Sequence, residues 1–204
     1  MSSRRLLSRH GGTAGNHRLT AAVGLVLLAL LAAEAVTTLD LSGYLGVHLF
    51  LGLFLLPAVS LKLASTSWRA ARYYARHSDY RSLGPPQLLL RLLAVPLTAA
   101  TIVLFGTGVA FLVTGRGHGT LLQLHAVSFG VWGVIMIVHV LAYLPRALRH
   151  GLADWRPHQA LPGAGVRRAL LVGSLLAGAA IAVGTYSVQS SWLAHHDTHQ
   201  RDSG

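Results

Sequence analysis

The stretch Leu121 to Leu144, LLQLHAVSFGVWGVIMIVHVLAYL, constrains this chain more than any other. It is long enough to cross a bilayer as a helix and carries a histidine near each end. An imidazole inside a bilayer is costly and normally faces the bundle interior, where a partner can meet it. Fourteen residues separate His125 from His139, which on an α-helix sets them about 21 Å apart along the axis and within about 40° of one face. The same face carries Phe129, Trp132, Met136 and Tyr143, and residues three and four apart share a helix surface, so it forms an aromatic, polarisable wall. An earlier segment, Tyr44 to Leu63, repeats half of this pattern: His48 lies one turn inside, and position 62 holds lysine.

Only 11% of the 204 residues are charged and 52% are apolar, whereas soluble domains carry about 25% charged residues. The fold class expected is all-α, a polytopic membrane helix bundle. The length rule gives five transmembrane helices at 19–38, 44–63, 88–113, 121–144 and 169–187. Residues 1–18 read as a disordered cytoplasmic tail and 188–204 as an extracytoplasmic one. The net charge of +11 comes from arginines between apolar runs, so it reports topology and lipid contact, not nucleic acid, for which no groove-reading module is present. Arg4, Arg5, Arg9 and Arg18 precede the first span, Arg69, Arg72, Arg76 and Arg81 follow the second, and Arg146, Arg149, Arg156, Arg167 and Arg168 follow the fourth. The positive-inside rule then places the amino terminus in the cytoplasm and the carboxyl terminus outside a plasma membrane.

The absence of cysteine removes disulfides, thiolate metal sites, iron–sulfur clusters and covalently attached haem. Nitrogen and oxygen donors remain, among them twelve histidines. Spans two and four run in the same direction, so His48 and His125 fall at equal depth near the outer surface. Two imidazoles facing across a four-helix core are the axial pair of a b-type haem. Gly52, one turn from His48, and Gly106 and Gly108 in span three offer room for a porphyrin edge, and Arg116 and His118 suit its propionates. An inner haem would need Lys62 opposite His139, and a lysine near the interface snorkels and stays charged. Glu34 reads as an interfacial carboxylate, and the tail histidines His195, His196 and His199 as solvated. In span five, Gly173, Ala177, Ala180 and Gly184 form one small-residue stripe and Ser174, Gly178 and Ala182 another, suited to close helix approach.

Spans one to four resemble the haem-binding half of the cytochrome b subunit of quinol-oxidising respiratory complexes, in which helices two and four each carry H-x13-H. Span four matches in full and span two at His48 only. HLFLGLFLLPAVSLKLASTSWRAARYY and GPPQLLLRLLAVPL also look like segments of a bacterial group related to the cytochrome b subunits of nickel hydrogenases and formate dehydrogenases. The resemblance implies one haem b, with His48 and His125 as iron ligands and His139 at a doubtful inner position. It also implies electron exchange with a quinol or an extracytoplasmic redox subunit, such as a molybdopterin enzyme, and an electron-transfer subunit rather than an enzyme by itself. Two other readings of the residues stay open. One is a haem-free structural or assembly subunit whose histidines bond serine, threonine or backbone carbonyls; the other is a small transporter, with Pro57 and Pro96 inside spans.

Overall fold

The structure, a computed structural model, describes residues 11–81, 84, 88–115 and 117–202. It is helical, with no strand among the described residues. The long helices are α1 (Gly12–Thr37), α2 (Leu41–Tyr74), α4 (Leu88–Thr114), α5 (Thr120–His150) and α6 (Ala164–Gly184). Between and after them come a short α3 (Ser78–Arg81) and α7 (Tyr186–Asp202). Four helical segments are long and apolar enough to cross a membrane: Gly12–Tyr74, which holds α1 and α2, then Leu88–Thr114, Thr120–Trp155 and Ala164–Gly184.

Most helices run past the apolar stretches read from sequence, because polar, helix-compatible residues extend them. Residues 12–18, read as part of a disordered tail, form the first turns of α1, and α2 continues through the arginines to Tyr74. Pro57, Pro96 and Pro145 all lie inside helices. Between α1 and α2 a single 3₁₀ turn at Thr38–Asp40 reverses the chain, and the Asp40 side chain accepts from the Gly43 amide at 3.1 Å, capping α2.

The hairpin this makes is tied at its far end by polar groups. Asn16 Nδ2 donates to the Ser65 carbonyl at 3.1 Å, Thr20 Oγ1 to Ser65 Oγ at 3.1 Å, and Lys62 Nζ to the Thr20 carbonyl at 2.6 Å. The apolar core is Leu19, Val23 and Leu27 of α1, Leu55, Ala58 and Val59 of α2, and Leu171 of α6. Helix α6 is therefore a core element. Helices α4 and α5 pair with each other, and α5 also packs on α1. In α5 only Ser128 is buried.

The bundle has two unlike ends. At the arginine-rich end, the loop after α5 folds back through Asp154, whose carboxylate takes Arg18 Nη1 at 2.9 Å, Arg167 Nε at 2.5 Å and Arg167 Nη2 at 2.9 Å. Burial alone would raise the Asp154 carboxyl, but the bonds from Arg167 and Arg18 outweigh it and hold it down at about 2. It is ionised at neutral pH and committed to those two arginines. At the histidine end, α7 lies across the bundle, with the Trp192 ring over Gly117 and Leu193 against Gly46.

The two stripes of α6 separate cleanly. Ser174, Gly178 and Ala182 are buried, while a methyl group added at Gly173 or Gly184 would meet nothing. At Gly178 it would run into the Phe54 carbonyl of α2, so this glycine sets how closely the two helices approach. Gly178→Val should destabilise the protein by about 1–3 kcal/mol, the usual cost of overpacking, and Gly173→Val should not. Thermal unfolding midpoints in mild detergent would check the contrast, and equal midpoints would show that α6 does not press on α2 there.

Candidate functional site

Two histidines meet at one end of the bundle. His48, in the second turn of α2, and His125, in the second turn of α5, have ring centroids 6.4 Å apart and ring planes at 86°. Both are half-buried. Phe111 of α4 covers the His125 ring from 5.2 Å.

Each ring is anchored through Nδ1 by a buried threonine from a neighbouring helix. Thr37, at the end of α1, lies 3.0 Å from His48 Nδ1, and Thr107 of α4 lies 2.9 Å from His125 Nδ1. Each threonine proton is already spent: Thr37 Oγ1 donates to the Glu34 carbonyl at 2.5 Å, and Thr107 Oγ1 to the carbonyls of Val103 at 2.7 Å and Leu104 at 3.0 Å. A hydroxyl that has given its proton to a helix carbonyl can only accept. The hydrogen-bond network therefore assigns the proton of both imidazoles to Nδ1, leaving the lone pair on Nε2 in each. Neither Nε2 takes a hydrogen bond among the described residues.

Glu34 joins the same cluster. Its Oε1 lies 3.1 Å from His48 Nδ1, and its Oε2 is buried without a partner. The carboxyl is thus not simply facing lipid headgroups, as its position near a helix end suggests. It turns inward onto the His48 imidazole of α2.

The glycines divide. Gly108 backs onto His125, where an added Cβ would lie 3.6 Å from Cε1. Gly52 faces Glu34 Oε1 at 3.6 Å instead of an open slot, and Gly106 borders open space. Arg116 lies outside the described residues, and His118 is exposed. On the aromatic face of α5, Trp132 Nε1 donates to Thr101 Oγ1 of α4 at 3.1 Å, which turns that wall toward α4.

At the other level the pattern breaks. Lys62 does not snorkel: its ammonium donates to the Thr20 carbonyl, and Gly24 leaves the space, since a Cβ there would sit 2.9 Å from Nζ. His139 stacks on Tyr143 at 4.8 Å. The side chains of His195, His196 and His199 lie outside the described residues, and among the described residues no group of three or more His, Cys, Asp or Glu side chains converges as a metal site.

Compared with known proteins, the chain matches no family model, no curated protein and no solved structure.

Thr37 and Thr107 escaped the sequence reading. Their signal was present but weak: a threonine in an apolar run, able to bond back to its own helix and still accept a bond from another. Thr107→Val should cost about 1 kcal/mol, the scale of an interhelical hydrogen bond in a membrane bundle, and much less in a His125→Leu background, where no donor is stranded. A double-mutant cycle on unfolding in detergent measures this coupling, and additive effects would break the pairing.

Proposed function

We propose that this chain is a five-span membrane cytochrome b that carries electrons near the outer surface as a subunit of a respiratory or molybdopterin-linked oxidoreductase. In this reading α1, α2, α4, α5 and α6 each cross the bilayer, and the arginine-rich end lies in the cytoplasm. His48 and His125 hold one haem b.

The observation that carries the proposal is the matched pair of Nδ1 anchors. Histidines that ligate a metal characteristically give their second ring N–H to an outer partner, which fixes tautomer and orientation. Thr37 with Glu34 does this for His48, and Thr107 does it for His125. The two rings also lie close together, with centroids 6.4 Å apart and planes at 86°. Two protein donors alone suit a group that brings its own equatorial nitrogens. A haem with two axial histidines supplies one-electron exchange with no open position for oxygen chemistry.

The chain's own residues do the rest. Phe111 of α4 packs on the His125 ring, Thr37 and Thr107 hold the imidazoles in the ligating tautomer, and the Glu34 carboxyl beside His48 strengthens that ring as a donor. A quinol or an extracytoplasmic redox protein is the fitting electron partner, because the site sits at one end of the bundle.

A second reading, helix glue without haem, draws on the same two threonine bonds, since histidines of this kind do join membrane helices. It uses only one nitrogen of each ring. The discriminating experiment is a dithionite-reduced minus oxidised absorption spectrum of protein purified from haem-replete cells. A b-type band at one haem per chain, absent in His48→Ala and in His125→Ala, is the expected result. Colourless wild-type protein retaining its native fold would leave the glue reading in place.

A further inference from the structure

A cleft of about 320 Å³ opens at the arginine-rich end, where the start of α1, the end of α2, α3 and the start of α6 meet. That size is within the range of small-molecule sites, about 300–1,000 Å³. Gly12 and Gly163 line it at the starts of α1 and α6. Leu19 and Leu170 line it seven residues further along the same helices, about 10 Å deeper into the apolar part of the bundle. Leu19 and Tyr80 are buried, whereas Trp68, Val166 and Leu170 are exposed, so the cleft is open at the bundle's surface. Of its polar side chains, Asn16 donates to the Ser65 carbonyl at 3.1 Å and Arg167 is bonded to Asp154.

Beside the cleft stands a cation that no acid neutralises. Arg72, in the last turn of α2, lies over the Trp68 ring with its guanidinium carbon 4.8 Å from the centroid, and its Nη1 is 2.5 Å from Nε2 of His77. The His77 carbonyl in turn accepts from the Tyr80 amide at 3.1 Å. Trp68 and Tyr80 both wall the cleft, so Arg72 stands where these two walls join. A guanidinium has donors only, so His77 is the neutral acceptor and cancels none of the charge. Arg72 makes no ion pair among the described residues, and its Nε is buried without a hydrogen-bond partner.

An apolar cleft that deepens into the bundle, with an uncompensated guanidinium at its edge, matches an amphiphile that carries its anionic group above its hydrocarbon. Trp68 and Tyr80 are residues of the headgroup level, and basic pockets between transmembrane helices are where anionic lipid headgroups bind. We infer that the cleft binds one anionic phospholipid, with an acyl chain along Leu19, Val166 and Leu170 and the phosphate on Arg72. The guanidinium supplies fixed charge and forked donors to the phosphate oxygens. The inference needs the membrane reading but not the haem, and protein without haem gives the same titrations.

The test is a lipid titration of the purified full chain in neutral detergent, reading the rise in thermal midpoint over each variant's own lipid-free value. Wild type should show a saturable rise with phosphatidylglycerol, half-saturated at about fivefold lower concentration than with phosphatidylcholine. Val166→Trp, which sends an indole into the cleft from an exposed position, should abolish the saturable rise, and Leu170→Trp carries the same comparison if that variant does not fold. Arg72→Gln should raise the half-saturating phosphatidylglycerol concentration about fivefold, the worth of one arginine at a lipid surface. The Arg149→Gln control removes the same charge from the end of α5, away from the cleft, and should titrate as wild type does. A wild-type rise in the tryptophan variants would overturn the cleft, and equal titrations for Arg72→Gln and Arg149→Gln would overturn the seat of the phosphate. An equal shift from inorganic phosphate alone would overturn the assignment to lipid.

Discussion

In a bundle of helices apolar on almost every face, a polar side chain between helices has few partners besides the protein's own groups, and this constraint shapes the interhelical contacts described above. The threonines show how economically it can be met. A hydroxyl in a helix gives its proton to a carbonyl three or four residues back, so it carries no unsatisfied donor, and its oxygen still faces outward as an acceptor. Thr37 and Thr107 each use that leftover acceptor on an imidazole, and Thr101 uses its own on the Trp132 indole. Three of the bundle's interhelical contacts thus share one chemical device.

The same constraint explains why the two levels of the bundle differ. At the histidine end, each imidazole meets its acceptors at Nδ1 alone, Thr37 and Glu34 for His48 and Thr107 for His125, and keeps a lone pair. At the other level, the ammonium of Lys62 has donors only, so it is spent on the Thr20 carbonyl, in the gap that Gly24 leaves in α1. A group engaged in that way fastens α2 to α1 and has no electron pair to offer a metal. The position that repeats the histidine spacing in sequence has become a structural tie.

Much of the fold was legible because the signals are long. An apolar run of about twenty residues with arginines at its ends gives a helix from composition alone, and α4 and α5 begin within a residue of where those runs begin, though most helices run on past them. What could not be read was which helices form the core. Helix α6 has two stripes of small residues with the same spacing, and only the backbone placement of Phe54 selects the one through Gly178. The site shows the same division. His48 and His125 stand out because imidazole is rare and expensive in an apolar span, whereas Thr37, Thr107 and Glu34 are ordinary residues whose meaning comes from the neighbour across the helix interface. Gly52 shows the limit from the other side: a glycine one turn from a histidine suggests space for a ligand, and a Cβ added there would touch the Glu34 carboxyl at 3.6 Å.

The choice between a glue and a ligand role for the histidines turns on the nitrogen left over. A ring that only joins helices needs one bonded nitrogen, and its second is free to meet whatever lies beside it. Here the chain has arranged two rings, on helices that do not adjoin in sequence, so that each gives up the same nitrogen to the same kind of acceptor. The two rings lie at one level with their centroids 6.4 Å apart. Gluing requires neither the shared tautomer nor the spacing. The inward turn of Glu34 onto His48, with one carboxyl oxygen buried and unpartnered, gives this end of the bundle a polar group that the helix contacts alone do not call for.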